Sequence, residues 1–150
     1  MLPLCSSAAE YALCVLGHMS NQPEALFRAA SLARDIGLPQ DFVAKILVQL
    51  RQGEFVTSRR GRNGGYLLAC DPAQTSIIEI VSFMDRSQEE PDCASTTGEK
   101  KTGHGVNCLL HDYWKSVHSL RQEVLGGHTI ADLSKSCSRH NKLKESSLSV

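Results

Sequence analysis

The sequence predicts a mainly α-helical fold with a small β-hairpin wing, a winged helix-turn-helix followed by a long C-terminal helix. Three observations carry this expectation. Two short apolar-striped stretches lie either side of Gly37 and Pro39. Directly after them, β-branched and aromatic residues flank a glycine-rich basic turn. Farther on, apolar residues recur at three- and four-residue steps from Leu110 to Val124, about four helical turns.

Residues 6–19 read as the first helix. Ser6 or Ser7 can cap it, Glu10 suits the positive end of its dipole, and Tyr11, Val15 and Met19 keep a four-residue spacing. Residues 29–36 form a second helix, stopped by Gly37. Pro39 then opens a third in its first turn, where a missing N–H costs nothing, and the helix runs to about residue 52. Val43, Ile46, Leu47 and Leu50 make its buried stripe, while Gln40, Asp41, Ala44, Lys45 and Gln49 fall largely off it. Two short helices joined by a tight Gly-containing turn have the shape of a helix-turn-helix.

After Gly53 the period changes, and residues 55–58 and 66–69 read as strands. The intervening turn is Arg59-Arg60-Gly61-Arg62-Asn63-Gly64-Gly65, whose Asn-Gly and Gly-Gly steps are expected to supply the positive φ of a tight hairpin. Residues 76–84 form a fourth helix, with Ile77, Ile80, Val81 and Met84 on one side. The stripe of the long helix comprises Leu110, Tyr113, Trp114, Val117, Leu120 and Val124, and Gly126-Gly127 stops it. Thr129 can cap a last short helix. The expected organisation is a head at 1–84, a cysteine-bearing loop at 85–107, a dimerisation helix with a short final helix at 108–135, and a flexible tail at 136–150.

Sixteen basic and sixteen acidic side chains cancel, so any nucleic-acid-binding surface has to be local. Arg59, Arg60 and Arg62 form such a patch, with no acid between Ser58 and Ala69. No apolar run approaches the roughly 18 residues that span a bilayer. No Lys or Arg precedes Arg28, so the N-terminus does not read as a signal peptide, and a cytoplasmic protein is expected. Of six cysteines, Cys5, Cys14 and Cys70 lie in or beside apolar segments and read as small buried residues, while Cys93 and Cys108 flank a polar loop. No Ser–His–Asp set, phosphate loop or paired carboxylates stand in a recognisable context, so no enzyme is expected.

The run Val56-Thr57-Ser58-Arg59-Arg60-Gly61-Arg62-Asn63-Gly64-Gly65-Tyr66-Leu67-Leu68 resembles the wing of the winged-helix transcription regulator family that includes IscR, NsrR and CymR, many of them iron–sulfur regulators. Glu10-Tyr11-Ala12-Leu13, Ile77 to Met84 and Cys108-Leu109-Leu110-His111-Asp112-Tyr113-Trp114 match it in order and spacing, so the resemblance covers roughly residues 6–135. It implies a homodimer paired through the long helices, a palindromic double-stranded operator and, in many members, an iron–sulfur cluster before the long helix.

The helix-turn-helix places the start of the third helix in the major groove, so Pro39, Gln40, Asp41, Phe42 and Lys45 are the candidate base readers, with Ala44 beside them. Phe42 reads equally as a core residue. Arg59, Arg60 and Arg62 are the candidate wing contacts, and the resemblance assigns Arg60 to the minor groove. The resemblance also implies a cluster, 2Fe–2S rather than 4Fe–4S, held by Cys93, Cys108, His111 and Glu10, with His104 or Cys14 as alternatives for the fourth ligand. Two other functions remain open: a cluster-free regulator answering thiol oxidation, a small molecule or a protein partner, and a winged-helix module used for protein contacts alone.

Overall fold

The computed structural model describes residues 5–86 and 111–135. The elements run α1 (Ser7–Met19), α2 (Ala29–Ile36), α3 (Gln40–Gln52), β1 (Val56–Arg59), β2 (Gly65–Leu68), α4 (Ile77–Met84) and α5 (His111–Gly126). The order is that of a winged helix-turn-helix, as the sequence predicts. The expected flexible tail and most of the cysteine-bearing loop lie outside the described residues.

Ser6 caps α1, its Oγ accepting from the Ala9 N–H at 3.2 Å. Ala9, Ala12, Val15, Leu16 and Met19 are buried, and α1 packs against α2, α3 and α4. Gly37 ends α2 at φ 79°, a left-handed conformation that a side chain would oppose, and its N–H reaches the Ala33 carbonyl at 2.9 Å. Pro39 sits one position earlier than the sequence suggested. It is the N-cap of α3, at φ −60° and ψ 134°, rather than a residue of the first turn. Its carbonyl accepts from the Phe42 and Val43 N–H groups at 3.1 and 3.2 Å, so it starts the helix without being wound into it. Val43, Ile46, Leu47 and Leu50 are the buried stripe, as expected.

The two strands pair antiparallel in the register Val56↔Leu68 to Arg59↔Gly65, one residue off the expected bounds at each strand. A third segment joins them. The N–H of Phe27 donates to the Tyr66 carbonyl at 2.8 Å, and that of Tyr66 donates to the Phe27 carbonyl at 2.7 Å. The turn also departs from expectation. Among the described residues the glycines with positive φ are Gly37 and Gly61, so Asn63-Gly64 and Gly64-Gly65 are not the left-handed steps. The later glycines serve close approach instead. A Cβ on Gly64 would lie 2.3 Å from the Arg59 carbonyl oxygen, and one on Gly65 would lie 2.5 Å from that of Phe27.

A capping box of Ser76 and Glu79 opens α4. Beyond α5 the chain returns to this same point. The Ile77 N–H donates to the His128 carbonyl at 2.9 Å, and the Ile130 N–H donates to that of Thr75 at 3.1 Å. Residues 130–135 are helical, and Ile130 is fully buried in the head's core. Thr129 begins this turn as expected, with its N–H and hydroxyl both on the Asp132 carboxylate. The N–H bond, with help from the hydroxyl and Lys135, holds the Asp132 carboxyl below its ordinary value.

Among the described side chains of helix α5, those packed on the head lie in its C-terminal half. Arg121 and Leu125 are half-buried, whereas every described side chain from 113 to 120 is exposed. Asp85 forms the joint, receiving the Arg121 guanidinium at 3.3 Å and the Ser6 hydroxyl from the start of α1. The stripe of Tyr113, Val117, Leu120 and Val124 therefore does not pack on its own head. Each of the four is more than half exposed, because Arg121 and Leu125 occupy the face turned inward.

Candidate nucleic-acid interface

Helix α3 buries one side against α1 and α2 and leaves the other in solvent. Pro39, Gln40, Asp41, Phe42, Lys45, Val48 and Gln49 are exposed there, and Ala44 is partly covered. The open choice at Phe42 resolves against the core, since the ring is 51% exposed. One flank is braced by an edge contact with Tyr11, centroids 5.9 Å apart at 81°, and the Lys45 ammonium lies 5.9 Å from the ring centre.

Arg59, Arg60 and Arg62 are all exposed around the turn at Gly61, where φ is 118°. Two further arginines belong to this surface and were missed in the sequence. The Arg28 guanidinium donates to the Arg62 carbonyl at 3.1 Å, tying the wing to the start of α2. Arg51, in the last turn of α3, donates to the Ser58 hydroxyl at 3.3 Å. Neither lies in a basic run, and Arg28 is 34 positions from its partner. The Phe27–Tyr66 pairing, which no local pattern announces, brings it there.

The residues expected at a cluster are only partly in view. Cys93, His104 and Cys108 lie outside the described residues, and His111 opens α5 with its side chain outside them. Glu10 is exposed on α1. Cys14 is also exposed, one turn later, and is not the small core residue its surroundings suggested. The reason is its phase, four residues from Glu10 on the outward side of α1. Cys5 and Cys70 are half-buried, and burial pushes both thiols up from their ordinary value, Glu10 and Asp85 adding to the effect at Cys5. Among the described residues no three His, Cys, Asp or Glu side chains converge as a metal site, and no helix is long and apolar enough to cross a membrane.

A helix-turn-helix whose outer face adjoins an arginine-tipped hairpin is the head of a DNA-binding transcription regulator. A family model described as Rrf2, iron-dependent transcriptional regulator, matches residues 5–136, and the chain belongs to that family of regulators rather than to any enzyme class. IscR of Sodalis glossinidius, an HTH-type transcriptional regulator, is 29% identical over 69% of this chain and 61% of its own length. A protein of Aquifex aeolicus named as an HTH-type transcriptional regulator is 26% identical over 85% of this chain and 89% of its own length. The chain thus spans nearly all of one relative and about three-fifths of others. Among solved structures, CymR of B. subtilis, named as the global cysteine regulator, superposes with a TM-score of 0.69 at 21% identity over 91% of this chain and 98% of that one. T. potens IscR superposes at 0.67 with 23% identity over 88% and 86%. At these identities the superpositions speak to the fold alone.

Proposed function

We propose that the chain is a homodimeric, cytoplasmic regulator that reads a palindromic operator and whose operator affinity is set by an iron–sulfur cluster. The observation that carries the DNA reading is the continuity of the exposed face of α3 with the wing arginines. Lys45 and Gln40 offer donors to base edges, and Asp41 offers an acceptor to cytosine N4. Arg60 enters the minor groove, and Arg59 and Arg62 hold the flanking phosphates.

The dimer reading rests on Tyr113, Val117, Leu120 and Val124. Their 4-3-4 spacing is the seam of a two-stranded coiled coil, and their exposure leaves that seam open for a second copy. A twofold axis through paired α5 helices would present two heads to two half-sites.

The cluster reading rests on the donor set. Two thiolates from Cys93 and Cys108, the His111 imidazole and a carboxylate from Glu10 suit iron, and the exposure of Glu10 leaves it available to a neighbouring subunit. Cys14 stands beside it as the alternative fourth donor, as does His104. Bound there, a 2Fe–2S cluster would supply a centre responsive to redox state, iron supply or nitric oxide. The chain's own part is to tie the start of α5 to its surroundings and so favour one of two dimer geometries.

The experiment is anaerobic purification followed by a visible spectrum, iron and sulfide analysis, and binding to duplexes selected from a randomised pool. Replacing Cys93 and Cys108 together by Ala should abolish the visible bands and change duplex affinity. Iron content and affinity both unchanged would reject the cluster. A colourless protein that binds DNA would favour the second reading, a cluster-free regulator answering thiol oxidation, for which the exposed thiol of Cys14 is the supporting observation. Failure to bind any duplex at low salt would leave a protein-interaction module.

A further inference from the structure

Among the described residues, large apolar side chains are exposed in two regions. One is the α5 seam. The other is the DNA-facing side of the head, where Phe42 is 51% and Val48 40% exposed, with Leu26 at 38% beside the wing. Isolated surface apolar groups are ordinary. These two are not isolated in pattern. Phe42, Lys45 and Val48 stand three residues apart and form one i, i+3, i+6 ridge on the outward side of α3, and the other aliphatic side chains of that helix are 3% exposed or less, apart from the partly covered Ala44.

We infer that this ridge reads thymine: the 5-methyl groups of two thymines in each half-site pack on Phe42 and on Val48, either side of an acceptor pair taken by Lys45. This rests on the DNA-binding reading above and adds base identity to it. Three considerations lead to it. In the major groove the thymine methyl is the base-edge group that offers apolar contact. The ridge spans six residues, within the seven-residue reach over which a helix lying in that groove contacts bases in homeodomains. The surroundings also select nucleic acid rather than an apolar protein partner. Gln40, Lys45 and Gln49 lie along the same face, Arg59, Arg60 and Arg62 extend from its edge, and Arg28 and Arg51 brace the wing behind them. An apolar partner surface would have to cover those charges without return, whereas a duplex neutralises them with phosphates and meets the ridge with methyl groups.

Tyr11 gives Phe42 its role. The edge contact at 5.9 Å fixes one flank of the ring and leaves the other outward, so the surface offered to a methyl group is held before DNA arrives. Val48 is held by its own branching, which leaves one strongly preferred rotamer in a helix. Neither side chain can form a hydrogen bond, so their discrimination depends on the methyl alone.

The test is methyl deletion in the DNA. Duplexes are selected from a randomised pool with the full chain, and each thymine of the consensus is then replaced singly by deoxyuridine, which lacks only the 5-methyl group. Binding is measured by fluorescence anisotropy. At two thymines per half-site the substitution should weaken binding about fourfold, the worth of one buried methyl. With Val48→Ala one of those two losses should vanish, and with Phe42→Ala the other, while thermal melting confirms that both variants fold. If no thymine responds, or if the same losses persist in both variants, the methyl inference is overturned and the DNA-binding reading stands. If no duplex is enriched above background, the DNA-binding reading fails and takes the inference with it.

Discussion

Glu54 carries backbone strain that the chain could shed. It is the described non-glycine residue with positive φ, 61°, and it makes the reversal from α3 into β1. Its side chain is exposed, so its removal sacrifices little packing. Glu54→Gly should raise stability by about 0.5–1 kcal/mol, the left-handed cost less the added freedom of the unfolded chain. A urea midpoint equal to or below the parent's would contradict this. Gly65 presents the opposite case. An added Cβ would sit 2.5 Å from the Phe27 carbonyl oxygen, so Gly65→Ala should separate the wing from residue 27 and lower the melting temperature. Arg60→Ala should leave melting unchanged and weaken specific DNA binding by ~1–3 kcal/mol. The three described cysteines should also sort by environment. Raised pKa values at Cys5 and Cys70 mean less thiolate at a given pH, so iodoacetamide at mildly alkaline pH should label Cys14 before either, as peptide mass mapping would show.

At the scale of elements, the α5 seam carries the sharpest expectation. Leu120 is 60% exposed in the single chain, so an acid there costs the protomer little and would face its own copy across a twofold axis. Leu120→Asp should give a folded monomer by light scattering at micromolar concentration, and an unchanged dimer would move the interface elsewhere. The helices were legible because their cues are local: a serine cap on α1 and Gly37 after α2 each lie next to what they terminate, and the apolar side of α4 repeats within eight residues. The wing was legible as a hairpin but not in register, since Phe55 and Val56 are equally strand-like. What escaped is what the fold brings from afar. Phe27 pairs with Tyr66 through a single bridge, too short for any periodicity. Arg28 and Arg51 join the basic surface only through that folding, and Gly64 and Gly65 owe their identity to neighbouring carbonyls rather than to their own dihedral angles. Cys14 was misjudged because an apolar neighbourhood in sequence says little about which side of a helix a residue occupies.

In the molecule as a whole, a neutral chain gathers the guanidinium groups of Arg28, Arg51, Arg59, Arg60 and Arg62 around the wing and carries its open apolar seam on α5. The two are joined through Asp85, which meets Ser6 of the α1 cap and Arg121 of α5. Asp85→Ala would remove the carboxylate that Arg121, whose buried Nε already lacks a hydrogen-bond partner, meets among the described residues. We expect a loss of about 1–2 kcal/mol, visible as a lower urea midpoint. A full-strength midpoint would show the joint to be dispensable. The placement of α5 has a mechanical consequence. Its C-terminal end is clamped, by Leu125 against the core and by the Ile77–His128 and Thr75–Ile130 hydrogen bonds just beyond Gly126-Gly127, while the described side chains of its first half are exposed. It is a lever with its fulcrum at one end. At roughly 24 Å for sixteen residues, a swing of about 10° at the fulcrum carries the far tip about 4 Å, and a weak force applied at that tip acts through the full length of the helix.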